Sequence, residues 1–304
     1  MNTIIFGGDT SAIRRYGIDA EDIYPKLFGV KKIVRGLFFM LRFPTKIWMN
    51  DIGKKMKNHS LIIVFDYPNM VEICREIERK AGDGVRLVLY LWNPMSIYSS
   101  KVLNKLSNRW EIWTFDPNDA KLYGLKYAGQ FLYDCYLPQH IVTDCDSDLF
   151  FIGQDKGRFN FLRKFEKECI YKLNVRTKFI YVDEQKSLKS KEYSRPIPYA
   201  DMINVAMHSK AILELNQTNQ TGLTLRALEA LLMHKKLVTN NENIKRYIFS
   251  HNADIYMLND INTGLKDFIS QPSKNNSEEM LSPYRFLNWL KRIEDDIQFN
   301  DYEF

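Results

Sequence analysis

Residues 213–241 read LELNQTNQTGLTLRALEALLMHKKLVTNN, and this stretch decides the fold. A short apolar strand, Ile212 to Leu215, gives way to a polar Asn/Gln/Thr loop; a Thr221-Gly222 step then opens a helix over Leu223 to Met233, and a second strand follows over Lys236 to Thr239. This is a βαβ unit. It places Thr221, Gly222 and Thr224 at the mouth of the helix, where unpaired N–H groups and the positive dipole end favour an anion such as a diphosphate. Leu225, Leu228 and Leu232 recur at helical spacing and are expected to face the core, which leaves Arg226, Glu229 and Met233 on another face. Glu229 lies about two turns from the mouth, roughly 10 Å along the axis. That is the reach from a diphosphate to the ribose of the same nucleotide, where a carboxylate can accept two ribose hydroxyls. The plain alternative is a solvated i,i+3 ion pair with Arg226. On the ribose reading, Glu229→Ala is expected to weaken nucleotide binding and to leave folding nearly intact.

At 304 residues the chain suggests two domains, each large enough to bury a core. With 45% hydrophobic and 26% charged residues its composition is that of an ordinary globular protein, and no apolar run is long enough to cross a membrane. The start, MNTIIFGGD, lacks the basic and apolar regions of a secretion signal, so a cytoplasmic location is expected. The four cysteines show no CxxC or zinc spacing and are expected to be reduced, most of them buried.

The net charge of +6 is unevenly placed: residues 26–57 carry nine Lys/Arg against the single acid Asp51. Phe28, Phe38, Phe39, Phe43 and Trp48 are interleaved with those cations. Lys31, Lys32, Arg35, Phe38, Phe39, Arg42 and Trp48 therefore form a basic, aromatic set suited to an anionic membrane surface, with a solvated helix as the bland alternative. No helix-turn-helix, zinc or RNA-binding signature accompanies the charge, so nucleic acid is not expected as a partner.

Short apolar strands alternate with helices from the start of the chain. Strands at 3–6, 61–65, 86–91 and 111–115 end in Asp9, Asp66, Asn93 and Asp116, with helices expected at about 70–80 and 97–106. Ligands of parallel sheets lie at these carboxyl ends. A second series opens with the strand Leu149 to Ile152 and the turn Gly153-Gln-Asp-Lys156-Gly-Arg158, which matches neither a dinucleotide fingerprint nor a P-loop but sets two cations beside a strand tip. Asp144-Cys-Asp-Ser-Asp148 contains two DxD matches; because it precedes a strand at a domain boundary it reads as a solvated turn. The five histidines share no ligand spacing with acids, and no metal is expected. The outcome is an α/β protein of two Rossmann-like domains facing a cleft: 1–140, 141–282, and a final helix in 283–304 packing back on the first.

The two motifs, Gly153 to Arg158 and Thr221-Gly-Leu-Thr-Leu-Arg-Ala-Leu-Glu229, taken in that order, resemble bacterial glycosyltransferases of GT-B architecture. The likeness is to enzymes of lipopolysaccharide core, O-antigen and capsule assembly, including the RfaS-like group, and it covers about residues 130–260. It implies a nucleotide-diphosphate sugar as donor, no cofactor, a lipid-linked or lipopolysaccharide acceptor, and work at the inner face of the membrane. It also implies that Gly153, Lys156 and Arg158 meet the donor phosphates and that Pro198 and Tyr199 frame the nucleobase. Thr221, Gly222, Leu223 and Thr224 would hold the diphosphate, with Glu229 on the ribose. Many relatives carry two glutamates with seven residues between them; here the first position is Thr221, which counts against a retaining mechanism of that type. The leaving diphosphate needs positive charge, which Lys156, Arg158, Arg226 and the helix mouth supply, and an inverting reaction needs a base. Asp9 is the choice for that base, with Asp66 and Asp116 as competitors and helix capping as the plainer role. A nucleotide-sugar epimerase on the same architecture, or a non-catalytic membrane-associated protein that binds nucleotide-sugar, are the alternatives.

Overall fold

The architecture is that of a computed structural model, which describes residues 2–303 apart from 28, 42, 45, 68, 99, 217–220, 260, 261 and 275, and describes only the backbone of 29, 32, 39, 100 and 101. The chain forms two compact units, Met1–Gln130 with Trp289–Asn300, and Phe131–Asn288 with Asp301–Phe304. Residues 131–140 thus go with the second unit, ten residues earlier than the expected division.

The first unit runs β1 (Thr3–Phe6), α1 (Thr10–Arg15), β2 (Asp19–Glu21), α2 (Gly29–Met40), α3 (Ile52–Lys55), β3 (Leu61–Phe65), α4 (Met70–Lys80), β4 (Arg86–Leu91), β5 (Trp110–Thr114), α5 (Pro117–Tyr123) and β6 (Lys126–Tyr127). Its six strands lie in the order β2-β1-β3-β4-β5-β6, every pair parallel. β3 is LIIVF with all five residues buried, as a strand covered on both faces must be. The edge strands β2 and β6, three and two residues long, carry no apolar run and leave no signal in the sequence. The helix expected over 97–106 is replaced by two 3-10 turns, Met95–Ile97 and Ser100–Lys105, in a stretch where Pro94 and several serines disfavour an α-helix. The last residues of the chain's final helix complete this core: Trp289, fully buried, lies 4.8 Å from Tyr90 and 5.7 Å from Phe65 between ring centroids.

The second unit contains β7 (Ser147–Gln154), α6 (Phe159–Tyr171), β8 (Thr177–Val182), α7 (Tyr199–Ala206), β9 (Ser209–Glu214), α8 (Leu225–Leu232), β10 (Lys236–Thr239), β11 (Ile255–Met257), α9 (Leu265–Ser270), α10 (Glu278–Leu281) and the start of α11 (Phe286–Glu294). Its five parallel strands lie in the order β11-β10-β9-β7-β8, so β7 and β9, which carry the two sequence motifs beyond their carboxyl ends, are neighbours. Cys74 and Cys169 are buried in the two cores, while Cys135 and Cys145 are half-buried; all four are free thiols.

The reading of Asp144–Asp148 as a solvated turn holds for the exposed Asp144 and Asp146 and is corrected at Asp148. Asp148 is inside β7, 2% exposed, with Lys210 at 2.9 Å, Arg176 at 3.2 Å and Lys266 at 3.7 Å. Burial would raise its pKa, but Arg176 and Lys210 outweigh that and hold it below the usual carboxylate range. The apolar run that marks the strand begins one residue later, which is why the acid before it looked like loop.

Candidate functional site

The turn after β7 is built by Asp155. This carboxylate is 5% exposed, accepts from the Gly157 N–H at 2.5 Å and the Tyr193 hydroxyl at 2.9 Å, and is paired with Lys186, which holds its pKa at about 2. Lys156 and Gly157 are thereby held at φ +44° and +83° in the left-handed region, where only glycine sits without strain. Arg158 leaves the turn toward the strand ends: its guanidinium donates to the Leu215 carbonyl at 2.5 Å and the Gln154 carbonyl at 3.3 Å, joining the tips of β7 and β9. Burial lowers the pKa of Arg158. Lys156 is exposed and has no ion pair among the described residues; partial desolvation and then the neighbouring Arg158 lower its pKa. Gly153, the last but one residue of β7, has the Phe151 ring against it.

At the mouth of α8, Gly222 and Leu223 are buried, and the Thr221 carbonyl accepts from the Tyr247 hydroxyl at 3.2 Å. Thr224 is the N-cap: its Oγ1 accepts from the Ala227 N–H at 3.2 Å. The polar loop ahead of it falls partly outside the described residues. The same Thr224 hydroxyl lies 2.5 Å from Glu214 Oε1, and Thr239 Oγ1 lies 2.5 Å from Glu214 Oε2. Glu214, at the end of β9, is 1% exposed, and burial raises its pKa. Reading the sequence missed it, because one acid at a strand end carries no pattern.

Glu229 differs from the expectation of an open face. It is completely buried, as are its neighbours from Ala227 to Met233, so α8 is enclosed along nearly its whole length. Tyr199, the first residue of α7, donates to Glu229 Oε1 at 2.9 Å, and Arg226 pairs with Oε2. Burial is the largest influence on Glu229 and raises its pKa to about 7, against the opposing pull of Arg226 and Tyr199. Pro198 is exposed at the start of α7, and the Tyr199 ring meets Tyr136 edge-on at 5.2 Å. Of the expected donor residues, the structure therefore brings Tyr199, Arg226 and Glu229 into one cluster and joins Arg158 to the end of the strand that carries Glu214.

Searched against protein-family profiles and curated proteins, the chain matches none. Solved structures do match over its whole length. An alpha-glucosyltransferase solved with UDP and a 13-mer DNA superposes with a TM-score of 0.58 at 10% identity, covering 97% of this chain and 98% of that one. The fold is GT-B. Anabaena Alr3699/HepE in complex with UDP gives 0.53 at 10% identity over 97% and 99%, and AviGT4, a glycosyltransferase involved in avilamycin A biosynthesis, gives 0.51 at 11% over 97% and 96%. At these identities the likeness establishes the GT-B fold. In this GT-B chain the β7 turn, the end of β9 and the mouth of α8 stand at the carboxyl edge of the second unit's sheet, where ligands of doubly wound folds bind, and Glu229 lies just over a turn farther along α8.

In the first unit, Asp9 is the N-cap of α1, its Oδ1 accepting from the Ala12 N–H at 3.0 Å. Asp116 caps α5 in the same way, and Asp66 binds the Trp92 and Asn93 amides and the Tyr98 hydroxyl. A groove of about 570 Å³ runs along α4, lined among others by Arg75, Arg79, Tyr98 and Lys105; none of the expected site residues lines it. No three His, Cys, Asp or Glu side chains cluster as metal ligands among the described residues.

The basic segment also changes in detail. Arg42 and Phe28 lie outside the described residues, as do the side chains of Lys32 and Phe39. Lys31 is exposed, whereas Arg35 donates to the Pro25 carbonyl at 2.7 Å, and Phe38 packs on Phe43 and Trp48 at 5.4 and 5.6 Å. The side chains that α2 presents outward are Val30 (75% exposed), Ile33 (65%), Leu37 (47%) and Met40 (69%). That stripe has i, i+3, i+7, i+10 spacing.

Proposed function

We propose that this protein is a glycosyltransferase, moving a sugar from a nucleotide-diphosphate donor to a lipid-linked or lipopolysaccharide acceptor in bacterial surface polysaccharide assembly, without a metal. The observation that carries the reading is the carboxyl edge of the five-stranded sheet. There a threonine-capped helix mouth, the cations of the β7 turn and the Tyr199–Glu229–Arg226 cluster stand on neighbouring strands and helices of a GT-B fold. In this reading the positive end of α8 at Gly222 and Leu223 and the ammonium of Lys156 take the diphosphate, and their positive charge stabilises it as it leaves. Arg158 fixes the spacing of the β7 and β9 tips that carry those groups. Glu229 is assigned to the ribose, which it meets when donor binding shifts α7 and its Tyr199 away from the enclosed carboxylate. Asp9 is assigned as the base that takes the acceptor proton through the carboxylate that caps α1.

The choice of a membrane-borne acceptor is supported by α2. An apolar stripe flanked by lysines suits an anionic bilayer, and such a stripe has no use on a DNA backbone, which rewards cations alone. Two measurements test the proposal. Thermal unfolding with UDP, GDP, dTDP or CMP should show stabilisation by at least one of them. Incubation with the matching nucleotide-sugar and a lipid-linked acceptor should then give a transferred product. Epimer formation instead of transfer, or no response to any nucleotide, would withdraw the assignment.

A further inference from the structure

Glu214 forms a proton-counting arrangement with its two threonines. Thr224 Oγ1 accepts the Ala227 N–H at 3.2 Å and lies 2.5 Å from Glu214 Oε1; Thr239 Oγ1 accepts the Asn241 N–H at 2.9 Å and lies 2.5 Å from Oε2. A hydroxyl has one proton to give. While Glu214 is ionised, both threonines must donate inward to it, and Thr224 has nothing to offer a ligand. When Oε1 carries a proton, Glu214 becomes the donor to Thr224, whose own O–H is released to turn outward at the mouth of α8. Thr239 continues to donate to Oε2. Every hydrogen bond survives, and the balance is one proton gained from solvent.

The surroundings favour such a change. Glu214 is 1% exposed and has no ion pair among the described residues. Burial pushes its pKa up, and only the two hydroxyls and the Thr224 N–H oppose that. The charged groups on the elements around it are otherwise engaged. Arg158 is held by the Leu215 and Gln154 carbonyls and Arg226 by Glu229. Lys210 is held by Asp148, and Lys236 by the Phe268 and Gln271 carbonyls. Lys156 reaches solvent. A diphosphate at the helix mouth would add negative charge beside a carboxylate that no cation neutralises.

We propose that Glu214 takes up a proton when a nucleotide diphosphate occupies the mouth of α8, and so converts Thr224 from a donor to Glu214 into a donor to the phosphate. Glu214 is then a positioning residue for the sugar donor. This rests on the proposed function, and the experiment separates the two. UDP is titrated calorimetrically into the wild type and into Glu214→Gln near neutral pH, in two buffers of different ionisation enthalpy. The glutamine amide is a permanent donor to Thr224 and cannot gain a proton. The wild type should take up about one proton more than the variant, and its affinity should fall by up to about tenfold per pH unit on the alkaline side while the variant's changes less. Titration of UDP itself and of Glu229 is common to both proteins and cancels. Should Glu214→Gln not fold, Thr224→Ser should keep the proton uptake and Thr224→Val should lose it. Equal proton counts and equal pH profiles would overturn this inference alone, whereas absence of binding by UDP, GDP and dTDP alike would overturn it together with the proposed function.

Discussion

The Tyr199 hydroxyl donates to Glu229 Oε1 across 2.9 Å, joining the first residue of α7 to the middle of α8. Neither side chain is free to move alone: Glu229 is wholly enclosed, and its second oxygen is paired with Arg226. Glu229→Ala is therefore expected to cost about 3 kcal/mol of stability, because it leaves the Arg226 guanidinium without its buried partner. This replaces the expectation that folding would be nearly unaffected. Chemical denaturation alongside nucleotide titration separates the two effects. Tyr199→Phe, which keeps the ring on Tyr136, should lose only about 1 kcal/mol.

The same carboxyl group predicts a pH dependence. Its folded-state pKa, raised to about 7 from 4.5, means that the unfolded chain releases this proton first as pH rises. Its contribution to stability is therefore fully present below about 4.5 and is lost as pH rises toward 7, with a slope on the order of 1 kcal/mol per pH unit in that window. Glu229→Gln should flatten that part of the stability profile. An unchanged slope in the variant would assign the dependence to other groups.

Asp148 has the opposite sign. Its pKa is held below the usual range, so its contribution is present above the unfolded value near 3.8 and is lost as pH falls below it. Asp148→Asn should destabilise the second unit by about 2–4 kcal/mol, since Arg176, Lys210 and Lys266 lose the charge they share. Acid unfolding of the variant should begin from this lower starting stability.

Membrane association should follow the apolar stripe of α2 as well as its charge. Replacing Val30, Ile33 and Leu37 with serine is expected to reduce binding to anionic vesicles at least tenfold, since each exposed side chain contributes about 1 kcal/mol or more when buried in lipid. Replacing Lys31 with glutamate should weaken binding less and make it less sensitive to salt. Vesicle sedimentation of both variants checks this; unchanged binding in the serine variant would leave α2 as an ordinary solvated helix.

Asp9→Asn should remove sugar transfer by a factor of about 10² or more while nucleotide affinity stays within about twofold, because asparagine can still cap α1 but cannot take a proton. Retained transfer would move the base to Asp66 or Asp116.

The parallel sheets were legible because β3, β4 and β9 are short apolar runs closed by polar residues, and the βαβ unit around α8 carried its own start signal at Thr224. What escaped lay in side chains whose meaning depends on three-dimensional neighbours. Glu214 and Asp155 are single acids at strand ends and Asp148 closes an acidic run, and in a string all three are indistinguishable from solvated ones. Their burial follows from which strands pair, and β9 sits between β7 and β10 only because of crossovers that no local pattern records. Glu229 was found through its spacing from Gly222, but its enclosure was not, since Arg226 beside it imitates a surface pair. In α2 the aromatic residues drew attention, although Phe38 and Trp48 pack on one another while the aliphatic residues face outward.

Asp148 also carries a lesson about the two rims of a parallel sheet. It stands at the amino rim of β7, opposite the rim that holds Arg158, Glu214 and Thr224. A saturation scan of this chain should therefore separate changes at 148, 176 and 210, which lower the yield of folded protein whatever the substrate, from changes at the exposed Lys156, which spare the yield and lower turnover.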